Sequence, residues 1–97
     1  MSGDTLLTEA EIAEGLKRLP DWTLEGAAIR RTAEARTFME GIRIVDVVAE
    51  ASEVLDHHPD IDIRWTILTF ACSSHAAGGI TDLDFQLTAR IDQIVAG

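Results

Sequence analysis

Apolar positions recur along the chain in two periods, and the switches between them mark the elements. Thr8-Glu9-Ala10-Glu11 has the form of a capping box. The Thr8 hydroxyl can take the Glu11 N–H, and the Glu11 carboxylate can reach back to the Thr8 N–H. Leu7 and Ile12 flank it as a hydrophobic staple. Ile12, Leu16 and Leu19 then share one helical face. Pro20 ends that helix, because the residue before a proline disfavours helical ψ. Asp21 to Leu24 suits a short strand, Glu25-Gly26 a turn, and Ala28 to Glu34 a second strand with Ile29 as its strong apolar member. Together they predict a hairpin.

Thr37-Phe38-Met39-Glu40 repeats the capping pattern and opens the longest helix, Phe38 to Leu55. Its polar side, Arg43, Asp46, Glu50 and Glu53, is narrow. An ordinary surface helix hides an apolar stripe of about 100°. This helix is apolar over more than half its circumference, so either it is sandwiched deeply or part of it meets another subunit; in so small a domain the subunit contact is favoured, and with it a homodimer or homotetramer. Pro59 stops it. Ile61, Ile63 and Trp65 alternate with Asp62, Arg64 and Thr66, a strand pattern. Leu68, Phe70 and Cys72 continue the alternation shifted by one residue, which requires a turn or bulge near Thr66-Ile67. Gly78-Gly79 breaks the run. Thr81-Asp82-Leu83-Asp84 caps a last helix with Leu83, Leu87, Ile91, Ile94 and Val95 on its apolar stripe. The order α-β-β-α-β-β-α, with strands arriving in pairs, predicts an α+β fold: an antiparallel sheet with helices on one face.

Ninety-seven residues make one domain, 1–97, without linker or repeat. Seventeen Asp and Glu outnumber eight Lys and Arg, for a net charge of -9. Such a surface repels phosphate backbones and anionic membranes, so neither nucleic acid nor membrane is an expected partner. Cys72 stands alone, which excludes an internal disulfide and fits a reducing compartment. It alternates with Leu68 and Phe70, as a small buried hydrophobe would. No apolar run reaches the roughly 18 residues of a membrane span. The N-terminus is acidic. The expectation is a soluble cytoplasmic protein without an export signal.

The candidate chemistry lies in the three histidines. His57 and His58 are adjacent, between Glu53 and Pro59, and His75 follows the last strand run. Were the helix to continue through His57, Glu53 would face it across one turn and could fix its tautomer. Asp56 at the same helix end could orient either imidazole. Three readings stand side by side. Histidines at a helix C-terminus can simply complement the dipole, worth about 0.3–1 kcal/mol each. A metal site is disfavoured, because adjacent histidines seldom meet one ion and no His-x₃-His or Cys-x₂-Cys spacing occurs. Acid–base catalysis on a neutral small molecule is the third. Asp84 is equally suited to capping Thr81, and Gly78-Gly79 to a plain turn.

Glu53-Val54-Leu55-Asp56-His57-His58-Pro59, with Trp65, His75, Gly79, Thr81 and Asp84 beyond it, resembles the signature of the pterin-4a-carbinolamine dehydratases. The resemblance spans nearly the whole chain and includes Trp22 and Phe38. It implies a four-stranded antiparallel sheet with three helices on one face. It implies a lyase that removes water from 4a-hydroxytetrahydropterins to give quinonoid dihydropterin, in tetrahydropterin recycling after aromatic amino-acid hydroxylation. An aromatic amino-acid hydroxylase would then be a partner in the same pathway. No metal or organic cofactor is implied; the pterin is the substrate. Carried over residue by residue, His57 and His75 are the acid and base and His58 orients the pterin. Glu53 and Asp56 set histidine protonation or hold pterin nitrogens. Ser73, Ser74 and Ala76 flank His75 where substrate meets the backbone, and Asp84 completes the site. Some members of the family also assist a transcription factor, so a non-catalytic binding module is the competing expectation. Four departures stand out. Ala76 replaces a usually acidic or polar residue, and Leu83 an arginine that would support Asp84. Ala33 and Ala35 replace large aromatics, and Ile67 a basic or polar residue.

Overall fold

The computed structural model describes residues 5–97; the start of the acidic N-terminus, residues 1–4, lies outside the described residues. Helix α1 (Glu9–Leu16) opens as its sequence dictates: Glu11 N–H donates to Thr8 Oγ1 at 3.1 Å, and Thr8 N–H to Glu11 Oε1 at 2.8 Å. It stops before Pro20. The Arg18 and Leu19 N–H groups bond back only three residues, to Gly15 and Leu16, so the chain tightens before the proline arrives. Strands β1 (Thr23–Glu25) and β2 (Ala28–Glu34) form the first hairpin. Its turn falls one residue later than the sequence suggested, with Gly26 first at φ 62, where a two-residue hairpin accepts glycine.

Helix α2 (Phe38–Leu55) has the predicted limits, with Thr37 Oγ1 accepting from Glu40 N–H at 3.0 Å. Strands β3 (Asp60–Arg64) and β4 (Ile67–Cys72) form the second hairpin, and helix α3 (Asp82–Ala96) closes the chain. The one-residue shift in alternation is the turn itself. Trp65 sits in it at φ 55, 76% exposed, rather than continuing β3. The antiparallel sheet has the order β1-β2-β4-β3.

Register decides which face is buried. Ile29 pairs with Cys72, Ala33 with Leu68, and Phe70 with Ile61, so these side chains share one face. Ile29, Leu68, Phe70 and Cys72 are fully buried there beneath Val48 of α2 and Leu87 and Ile91 of α3. Ile12 and Leu16 of α1 close the same core. Three helices thus pack on one face, and the fold is α+β as predicted. The opposite face carries polar rows such as Thr32 and Thr69, whose hydroxyls lie 3.2 Å apart. Trp22 is anchored through its indole N–H to Asp92 at 2.8 Å. The wide apolar girth of α2 is resolved in two parts. Val48 and Ala51 are buried, while Phe38, Met39, Val47 and Val54 stay open to solvent. No helix among the described residues is long and apolar enough to cross a membrane.

Candidate active site

The site forms where the C-terminus of α2, the end of β4 and the start of α3 meet. Helix α2 ends in a Schellman motif: His57 N–H reaches Ser52 O at 3.0 Å and Asp56 N–H reaches Glu53 O at 3.2 Å. Asp56 closes the motif in the left-handed region, φ 51, ψ 43, a conformation that Asp tolerates better than most residues. Pro59 prevents any resumption of the helix. The left-handed step redirects the chain, so His57 is no longer one helical turn above Glu53. The pairing suggested by the Glu53–His57 spacing therefore gives way to two others.

Glu53 Oε2 meets His58 Nε2 at 2.5 Å on the surface, with the two side chains 76% and 54% exposed. His57 turns inward, its side chain 12% exposed, and its Nε2 lies 2.6 Å from Oδ1 of the fully buried Asp84. Asp84 holds the third helical position of α3, and its Oδ2 takes the Thr81 N–H at 2.9 Å. The expected cap is therefore real. The same carboxylate also accepts from Ser74 Oγ–H at 2.8 Å, and Ser74 Oγ lies 2.8 Å from Thr81 Oγ1. Capping and histidine support are the two ends of one group.

Ser74 reaches this network through the loop after β4. It pairs with Gly79 across a bridge, its N–H on Gly79 O at 2.8 Å, while the Ala77 and Gly78 N–H groups fold back onto Ser74 O. Gly78 has φ 83, open to glycine at no steric cost. His75 and Ala76 project from this loop, exposed. No side chain among the described residues bonds the His75 imidazole.

Asp56, His57, His58, Ser73, Ser74, His75, Ala76, Ala77, Thr81 and Leu83 line one open cleft of about 470 Å³. That volume falls in the range of about 300–1,000 Å³ usual for small-molecule sites. All three imidazoles meet on it, as the sequence anticipated, with Ser73, Ser74 and Ala76 between them. Glu53 stands behind His58 rather than on the wall, and Asp84 lies beneath the floor. Leu83 occupies the rim in place of arginine, yet Asp84 is not left unsupported: Ser74, Thr81 and His57 account for both its oxygens. The Ser74 hydroxyl is what sequence reasoning missed. The Ser74–Gly79 bridge helps place it beside Asp84, and no periodicity announces such a bridge. Cys72 lies just behind, fully buried, its thiol pushed far up by burial and then by the negative charge of Asp84 and Asp60. It is a packing residue, inert as a nucleophile. Among the described residues, no group of three His, Cys, Asp or Glu side chains is placed to hold a metal ion.

A four-stranded antiparallel sheet under three helices, with three imidazoles and a buried carboxylate at one end, defines a small α+β protein with a histidine-lined cleft. The sequence model of the family described as Pterin 4 alpha carbinolamine dehydratase matches residues 5–94. The chain belongs to that family. A Nocardia farcinica (strain IFM 10152) protein named "Putative pterin-4-alpha-carbinolamine dehydratase" is 51% identical over 89 residues, covering 92% of this chain and 94% of the relative. The crystal structure of a Brucella melitensis transcriptional coactivator/pterin dehydratase matches with a TM-score of 0.89 at 28% identity, covering 94% of this chain and 99% of that one. A pterin dehydratase-like protein described as a RuBisCO assembly factor in the alpha-carboxysome shares the fold, with a TM-score of 0.64 at 16% identity over 78% of this chain and 88% of that one.

Proposed function

We propose that this chain dehydrates 4a-hydroxytetrahydropterins to quinonoid dihydropterin and water, by proton transfer through histidines. The carrying observation is the convergence of His57, His58 and His75 on one cleft of about 470 Å³. Hydroxide on a tetrahedral carbon leaves only once protonated, and the neighbouring ring N–H must lose its proton. Groups that titrate near neutral pH serve both needs, and each well-placed one contributes about 10²–10⁴-fold. The elimination is easy enough that such factors suffice. His57 and His75 carry the two protons. His58, held by Glu53, orients the pterin together with Asp56, and the backbone at Ser73, Ser74 and Ala76 meets its edge. With Ala76 in place of a polar residue, that edge is gripped by main chain rather than by side chain. The chemistry draws on side chains alone, with no cofactor, and an aromatic amino-acid hydroxylase would supply the substrate.

The exposed Phe38, Met39, Val47 and Val54 of α2 support a homodimer or homotetramer built on that helix. They also favour a second reading, in which the same fold serves as a binding module. The Brucella melitensis neighbour is itself described as a transcriptional coactivator/pterin dehydratase. The complete histidine set favours catalysis as the primary role.

Stopped-flow dehydration assays on the wild type and on a His57→Gln, His75→Ala double variant test the reading. The glutamine amide retains a donor toward Asp84, so the fold is spared. The wild type is expected to outpace buffer and the double variant to match it. A double variant with full activity would refute histidine catalysis.

A further inference from the structure

We propose that Asp84 is a positioning residue that fixes His57 in one tautomer, Nε2-protonated, and so makes it the base of the dehydration through Nδ1. This rests on the dehydratase reading above and deepens it by dividing the work between the histidines.

Counting protons around the buried carboxylate assigns the tautomer. A carboxylate only accepts hydrogen bonds. Asp84 Oδ2 takes the Thr81 N–H at 2.9 Å and the Ser74 O–H at 2.8 Å. Ser74 has one hydroxyl proton, and it is committed to Asp84. Its oxygen, 2.8 Å from Thr81 Oγ1, therefore accepts from the Thr81 hydroxyl. Among the described residues His57 Nε2 thus faces two acceptors, Asp84 Oδ1 at 2.6 Å and Ser74 Oγ at 3.4 Å, and no donor. It must carry the proton. A neutral imidazole protonated at Nε2 keeps its lone pair at Nδ1. Nδ1 is then the one ring atom able to take a proton from the substrate. Asp84 and Thr81 are fully buried and Ser74 is 8% exposed, so bulk water does not compete for these bonds. The arrangement is set before substrate arrives.

His75 differs in every respect that matters. It is exposed and unclamped, on the loop after β4. It is left to act as the acid. In the step, His57 Nδ1 takes the proton of the ring N–H and the released electron pair forms the C=N bond. The C4a–O bond breaks, and the oxygen takes a proton from protonated His75 and departs as water. His57 finishes as an imidazolium against Asp84, and solvent returns its proton to His75.

The test uses ¹⁵N-histidine-labelled wild type at about pH 8.5, above the ordinary histidine value near 6.5. His57 is expected to show a protonated Nε2 and a bare Nδ1. Asp84→Asn keeps the shape and, through its carbonyl, an acceptor for Thr81 and Ser74. Its amide then points a donor at Nε2, so the tautomer inverts and Nδ1 gains the proton. The variant should melt cooperatively and hold KM within about threefold, while kcat falls about 10²–10⁴-fold. A bare Nε2 in an active wild type would overturn this assignment and leave the dehydratase reading intact. So would a wild-type kcat in Asp84→Asn. A wild type that dehydrates no pterin fails the dehydratase reading itself, whatever the tautomer.

Discussion

Two histidine–carboxylate pairs stand side by side in this protein at nearly the same distance: His57–Asp84 at 2.6 Å and His58–Glu53 at 2.5 Å. Their surroundings differ. Asp84 is fully buried and shares its oxygens with Ser74 and Thr81, whereas Glu53 is 76% exposed and, among the described residues, has a side-chain bond with His58 alone. Exposed ion pairs are worth about 0–1 kcal/mol, because water and side-chain entropy offset the attraction. A buried carboxylate has no such exchange, so each lost partner costs more than the bond itself was worth. Equal length therefore says little about what a pair does. Burial makes one pair part of the fold and leaves the other an adjustable contact at the cleft rim.

Breaking the buried side should have the largest effect. Asp84→Ala removes the α3 cap and leaves the Thr81 N–H and the His57 Nε2–H without their acceptor in the interior. A loss of about 3–4 kcal/mol is expected in urea unfolding. A loss below about 1 kcal/mol would place Asp84 on a par with a surface residue. On the exposed side, Glu53→Ala should cost under about 1 kcal/mol, and that cost should vanish in about 1 M salt, where the Debye length is near 3 Å. Retention of the full cost at high salt would mean that the pair is shielded from solvent. The smallest signal comes from Cys72, which reports how closed the interior behind Asp84 is. Burial, reinforced by the Asp84 and Asp60 charges, raises its thiol well above the usual range. The thiolate that reacts is therefore scarce at neutral pH, and an aromatic disulfide reagent should label Cys72 only after unfolding. Rapid labelling of the native protein would show that the core opens beside the site.

Much of this was legible in the residues. Capping patterns at Thr8, Thr37 and Thr81 placed the starts of all three helices, and the slip in alternation after Trp65 located the second hairpin turn. These signals are local, set by side chains a few residues apart. The convergence of His57, His58 and His75 followed from family spacing. What stayed hidden was the choice of partners. Glu53 and His57 look paired at a spacing of four, but the left-handed Asp56 turns His57 away from the helix axis and toward Asp84. Ser74 joins them from a loop that bridges back to Gly79, a pairing that no local pattern marks. The first hairpin turn moved by one residue because Gly26 is needed at its first position, a preference subtler than the glycine's mere presence.

At the centre of the proposed function is a pterin ring docked against the imidazoles that Asp84 and Glu53 hold in place. Soaking crystals of the protein with an oxidised pterin tests it most directly. The ring is expected in the cleft between Asp56 and Ala76, with His57 Nδ1 within about 3 Å of a ring nitrogen. A pterin bound away from all three histidines, with that cleft left open, would contradict it.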